Sequence, residues 1–249
     1  MRYVDINEAI EADGLRIVIV KAMPSAWGVA AKAMIEYKGL DFLCAHQIPM
    51  SDNPELLAWS GTNSGPVVAW NDEAPINRWN DILLLLERLQ PEKPLVGANM
   101  HERMQVFGIG HEICGELGFG WNRRIDLIRP PAGEAVSEFG KKYSYRETEA
   151  ALANERVVAL MNELTAILKA QKAAGSDYLV GQSVTAADFY WAAFSNFVQL
   201  QPHEECPMNP DARPMFANTP AEIMVALDPV LLEHRDRIMR TYYKLPLEL

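Results

Sequence analysis

The sequence is poor in cysteine, with three in 249 residues, at Cys44, Cys114 and Cys206. An odd number at wide spacing suggests neither a disulfide framework nor a zinc site. No Cys-x-x-Cys occurs, which argues against a dithiol redox mechanism. Such cysteine usage fits a reducing, cytoplasmic compartment. Basic charge is also short, Lys+Arg 23 against Asp+Glu 33, for a net charge of −10. A nucleic-acid surface needs a basic stripe and is not expected, although a local basic pocket remains compatible with an acidic whole. No apolar run approaches the roughly 18–20 residues of a membrane span; Leu83 to Leu86 is a short patch in an amphipathic segment. Met1 to Gly14 is polar and acidic, without the basic and apolar regions of a signal peptide. His46, His101, His111, His203 and His234 are scattered without metal-ligand spacing, so no metal site is expected.

What is present is ordinary for a globular chain: 49% apolar and 22% charged residues, in a length that fits one large domain or two small ones. Leu15 to Val20 is β-branched and reads as a buried strand. Ala30 to Tyr37 is an Ala-rich helical run that Gly39 stops. Phe42 to Ile48 reads as a second strand. Asn53-Pro54 starts a short helix that runs to Trp59. Val67 to Trp70 and Pro75-Ile76 read as two further strands, and Ile82 to Leu89 as a helix. Pro91-Glu92-Lys93-Pro94 breaks the pattern. Beyond it strand signals nearly vanish: helix is expected over 99–117, 146–174, 186–200 and 221–242, with irregular chain at 130–142 and a proline-rich loop at 208–220. The expected division is 1–90, a linker at 91–98, and an all-helical domain over 99–249.

The densest information lies at 64–82. Ser64-Gly65-Pro66 enters a strand, and Asn77-Arg78-Trp79 opens a helix shortly after. A backbone turn and a helix N-terminus therefore lie side by side, and both can present unpaired N–H groups to an anion. Further on, Thr185-Ala186-Ala187-Asp188 reads as a capping box, a structural feature.

An α/β unit followed by an all-helical one, with Pro66 opening a strand, Pro75-Ile76 before a helix and the Thr185-x-x-Asp188 box, resembles the soluble glutathione transferase superfamily over nearly the whole chain. The resemblance implies a thioredoxin-like βαβ(α)ββα domain and an all-α C-terminal domain. It implies a cis bond before Pro66, glutathione as substrate or cofactor, a small hydrophobic electrophile as second substrate, and a homodimer. Ser25 falls where several classes of the family keep a serine that donates to the glutathione sulfur and lowers its pKa; the bland alternative is that Ser25 caps a helix. Trp27, Ser64, Gly65, Pro66, Asn77, Arg78 and Trp79 would contact the thiol peptide. Met104, Phe107, His111 and Trp121 would line the electrophile pocket, although the spacing of the first three equally suits packing. Tyr143 and Tyr145, in a basic stretch, read as a solvated helix start.

The departure from the family is Arg78-Trp79, where an acidic residue and a serine usually hold the γ-glutamyl ammonium and carboxylate. Arg78 cannot accept a hydrogen bond. Two lost bonds to charged groups, at about 1.5–3 kcal/mol each, cost about 3–6 kcal/mol, or roughly 100- to 10,000-fold in affinity. The helix N–H groups, with Asn77, Asn80 or Asp81, are the available replacements. Two alternatives to a transferase therefore stay open: a non-catalytic binding or assembly module, and a glutathione-dependent isomerase or lyase. A trans bond before Pro66, or an indole ring plugging the space beside it, would count against the thiol-peptide site.

Overall fold

A computed structural model describes residues 1–131 and 133–249. The chain begins with β1 (Arg2–Tyr3), α1 (Ile6–Glu11), β2 (Leu15–Val20), α2 (Ala26–Lys38), β3 (Phe42–Gln47), α3 (Pro54–Ser60), β4 (Val67–Trp70) and α4 (Trp79–Leu89). The four strands form one sheet in the order β1-β3-β2-β4, with β4 antiparallel to β2 and the other pairs parallel. β2 is buried on both faces, as its unbroken Leu-Arg-Ile-Val-Ile-Val run requires. Ile17 and Ile19 join the large core beneath α2 and α4, while Val18, Ala45 and Val67 face α1 and α3.

The remaining elements are helical: α5 (Met100–Cys114), α6 (Phe119–Leu127), α7 (Glu138–Lys142), α8 (Glu147–Ala173), α9 (Ala186–Phe194), α10 (Arg213–Ala217), α11 (Ala221–Ala226) and α12 (Pro229–Tyr242). All nine residues of α9 are buried, which makes it the central helix. Its start is held by Asp188, whose carboxylate accepts from the N–H groups of Thr185 (2.8 Å) and Leu179 (2.8 Å) and lies 3.1 Å from His234 Nε2. The long α8 buries Val157, Met161, Leu164 and Leu168 in one stripe. The architecture is a thioredoxin-like α/β unit followed by an all-helical one. Among the described residues, no helix is long and apolar enough to cross a membrane.

Several elements differ from the sequence expectations, each for a local reason. β1 has two residues and α1 buries only Ala9, so neither carries a readable period. Pro75-Ile76 makes only a bridge, in which Val68 and Ile76 exchange two 2.8 Å backbone bonds; Pro75 has no N–H with which to extend a ladder. The helix expected over 99–117 ends at Cys114, and a second one, α6, follows after Gly118. The irregular 130–142 stretch contains α7, started by Ser137, whose hydroxyl accepts from Gly140 N–H at 3.1 Å. The 208–220 loop contains α10. Asp228-Pro229 divides the last helical stretch, with Asp228 capping Val230 N–H at 2.9 Å.

The junction between the sheet-bearing and helical parts is tied by one fully buried ammonium. Lys38 Nζ, at the end of α2, donates to the carbonyls of Gln90 (2.8 Å) and Lys93 (2.8 Å) and pairs with Glu87 at 2.7 Å. Glu87 in turn accepts from Leu95 N–H at 2.9 Å, and Lys93 reaches back to Tyr37 O at 2.9 Å.

Candidate functional site

The turn before β4 is held tight against the sheet. Gly65 sits where a Cβ would come 3.0 Å from Val18 O and 3.3 Å from Ile19 Cα, so a side chain would push the turn off β2. The Gly65–Pro66 bond is cis and Pro66 is buried. Ser64 lies at the rim, with Oγ 3.5 Å from the Tyr143 hydroxyl.

α4 begins beside this turn. Arg78 occupies its N-cap position with extended backbone, and its side chain caps nothing. Arg78 and Asn77 are exposed. The first-turn N–H groups of α4 therefore have no side-chain cap and remain available to an acceptor. Asp81, partly buried in that turn, has no ion-pair partner among the described residues.

Trp79 is the first residue of α4, and its ring is committed to packing. It meets Tyr190 edge-on at 5.6 Å and Phe107 at 6.1 Å, and it lies where a Cβ on Gly110 would come within 2.8 Å. The glycine in α5 thus makes room for this indole. Between Pro66, Trp27, Trp79 and Tyr190 a space of only about 10 Å³ remains, about what one water needs. Two indoles border it, so the inner cleft beside Pro66 is filled by protein side chains. The open surface here is the outer rim, formed by Ser64, the α4 N-terminus and the start of α2.

Ser25 stands at the N-cap of α2, with φ −63° and ψ 104°. Its carbonyl accepts from Val29 N–H at 2.9 Å, but its hydroxyl makes no capping bond. The hydroxyl is thus uncommitted at a helix N-terminus, where donors and the helix dipole favour a negative charge. Two residues on, Trp27 is anchored: its Nε1–H donates to Cys114 O at 2.9 Å, and its ring meets Phe194 edge-on at 4.6 Å. Gly120 permits that contact, because a Cβ there would overlap the Phe194 ring and come 3.0 Å from Trp27.

The four residues expected to line an electrophile pocket are not gathered together. Met104 is 69% exposed, and His111 is also exposed on α5. Phe107 is half-buried, between Trp79 and the Arg103 guanidinium at 4.8 Å. Trp121, on α6, is partly buried, and its Nε1 is sealed without a hydrogen-bond partner.

Sequence reasoning missed Arg124, and it placed Tyr143 in solvent. Arg124 stacks over the Trp27 ring at 4.1 Å and the Tyr143 ring at 4.4 Å. Burial holds its guanidinium below the usual arginine range. Tyr143 is half-buried rather than solvated, because it covers Arg124 and reaches Ser64 across the cleft. Arg123-Arg124 is a doublet in a segment without an obvious period, so the sequence carried no signal for it. The thiols are not candidates for catalysis: burial pushes Cys44 up to about 12 and Cys206 to about 11, and raises Cys114 as well.

The solved structures that resemble this arrangement extend over almost all of the chain. A glutathione S-transferase from Xanthobacter autotrophicus Py2 matches with a TM-score of 0.60 at 17% identity, over 94% of this chain and 98% of its own. One from Methylobacillus flagellatus KT, with glutathione bound, matches with a TM-score of 0.64 at 11% identity, over 91% and 95%. One from Methylobacterium radiotolerans, in complex with glutathione sulfonate, matches with a TM-score of 0.61 at 16% identity, over 91% of each chain. The fold is that of the glutathione S-transferases. The family model for the glutathione S-transferase C-terminal domain matches residues 132–217. No curated protein sequence matches significantly. Among the described residues, the Ser25 hydroxyl, the α4 N-terminus and the side chains of Arg78 and Arg124 make no side-chain hydrogen bond or ion pair in this region.

Proposed function

We propose that the protein is a glutathione transferase-like enzyme that ionises a thiol for attack on an electrophile. The observation that carries this reading is the Ser25 hydroxyl, which sits at the start of α2 without capping it. A hydroxyl donating to sulfur favours thiolate over thiol. Holding the thiol and the acceptor together would supply much of the remaining acceleration. In this reading the α4 N–H groups and Arg78 take the γ-glutamyl carboxylate, and Asp81 or Asn80 takes the ammonium. Ser64 and the Gly65–Pro66 turn border the peptide, while Trp27 and Trp79 form the floor beneath it. The boundaries at 1–90 and 99–249, a cytoplasmic location and a homodimer belong to the same proposal. Leu84 (41% exposed), Met100 (69%) and Met104 (69%) are apolar groups that a partner copy would cover.

One observation favours a second reading, a non-catalytic binding module: the Trp27 and Trp79 indoles fill the space beside Pro66, the outcome named above as counting against the thiol-peptide site, and Trp79 stands where the resemblance implies a polar contact, its ring packed against α5 and α9. Retention on immobilised glutathione, followed by conjugation of a chloro-nitroaromatic, separates the two. The enzyme reading expects both for the wild type. Absence of both discards it in favour of the module.

A further inference from the structure

Arg123 and Arg124 are neighbours on α6 with opposite surroundings. Arg123 is fully buried and fully partnered, with Asp126 at 2.7 Å and Phe197 O at 2.9 Å. Arg124 lies about 100° further around the helix. Rings cover it at 4.1 Å (Trp27) and 4.4 Å (Tyr143), with Trp121 at 5.8 Å. Among the described residues, no carboxylate lies near enough to raise its pKa; Tyr143 is the one group that does so. The residue is partly buried, and none of the side-chain hydrogen bonds or ion pairs among the described residues involves its guanidinium. Rings stacked over a guanidinium occupy its faces and leave the N–H fork, which lies in the plane, unspent.

The polar groups beyond Arg124 are uncharged hydroxyls, each able to donate or accept. The Tyr143 and Ser64 hydroxyls, 3.5 Å apart, face each other across the mouth of the cleft. A cation without an acidic partner, two hydroxyls and aromatic walls match a flat organic anion, not a neutral apolar molecule.

We propose that Arg124 recognises the carboxylate of an aromatic or conjugated acid, so that the second substrate of the cleft is an organic anion. Naming the ligand as the acceptor rests on the two-substrate reading above; the binding itself does not. The carboxylate sits in the guanidinium fork, and the attached π-system lies along Trp27 and Tyr143. Because Trp27 belongs to the first turn of α2, this places the acid beside the segment that carries Ser25.

The test is equilibrium binding to the full chain without glutathione, by calorimetry, using 1-naphthoate and its neutral analogue 1-naphthamide. The wild type is expected to bind the naphthoate about tenfold or more tightly than the amide. Arg124→Met is expected to erase that preference while leaving amide binding in place. Saturating glutathione is expected to leave naphthoate binding unchanged. Equal affinity for the two probes in the wild type overturns the proposal and needs no variant to fold. A preference that survives in a folded Arg124→Met chain also overturns it. So does competitive displacement by glutathione, which would assign Arg124 to a carboxylate of the thiol peptide. If the protein fails to bind glutathione at all, the naphthoate result still stands or falls by itself.

Discussion

Replacing Ser25 by alanine separates the two roles a serine can have at a helix start. A capping serine contributes about 1 kcal/mol to stability, worth roughly 2–4 °C in Tm for a chain of this size. Ser25 makes no capping bond, so Ser25→Ala should leave stability within about 0.5 kcal/mol. A hydroxyl that donates to a thiolate is a hydrogen bond to a charged group, worth about 1.5–3 kcal/mol. Its loss should lower kcat/KM with glutathione and a chloro-nitroaromatic by roughly 10- to 150-fold. It should also move the midpoint of the pH–rate profile upward, toward the value of about 8.5–9 of a free thiol. Steady-state kinetics across pH and a thermal melt on the same preparation read both quantities. An unchanged rate with a Tm lowered by several degrees would refute the catalytic role and return Ser25 to capping.

Gly120→Ala should destabilise by about 1–3 kcal/mol or more, because the new methyl overlaps Phe194 and crowds Trp27; a melt that does not shift would show that α6 moves aside freely. The three thiols are buried and raised in pKa, so a thiol reagent at pH ~8 should label none in the native protein and all three in denaturant. Rapid native labelling would contradict this packing. Glu248 is held below its ordinary 4.5 first by its hydrogen bond from Lys32. A carboxyl depressed in the folded state contributes stability above its unfolded pKa and loses it as the pH falls. Wild type and Glu248→Gln should therefore differ near neutrality and converge as the pH falls through the depressed folded-state pKa, below the ordinary carboxyl range, as followed by urea melts; parallel curves throughout would remove the Lys32 contact from the account.

The parts of the fold that were legible in the sequence have a period or a punctuation mark. β2 showed itself by β-branched residues, α8 by its stripe, and α9 by a box that Thr185 and Asp188 do form. The cis bond at Pro66 came through resemblance, not through any local signal. What was hidden is what tertiary contact decides. A two-residue strand exists only because β3 offers an edge. α6 is capped by Gly118 and carries Gly120, which look like breakers but serve close packing. The site divides the same way. Ser25 and Gly65-Pro66 could be located along the chain, yet the commitment of Trp79 to packing depends on a glycine 31 positions away, Gly110. Likewise, Arg123 and Arg124 are the same residue type in adjacent positions, and only the rotation of α6 gives one an acid and the other three aromatic rings.

The clasp at Lys38 bears on how any ligand could gain entry. Its ammonium gathers the end of the second helix, the close of the fourth and the chain that follows into one knot, sealed from water. A knot of that kind is no swivel. The sheet and the bundle should travel as one block, and admission to the cleft should be governed by the swing of single side chains, Tyr143 first among them.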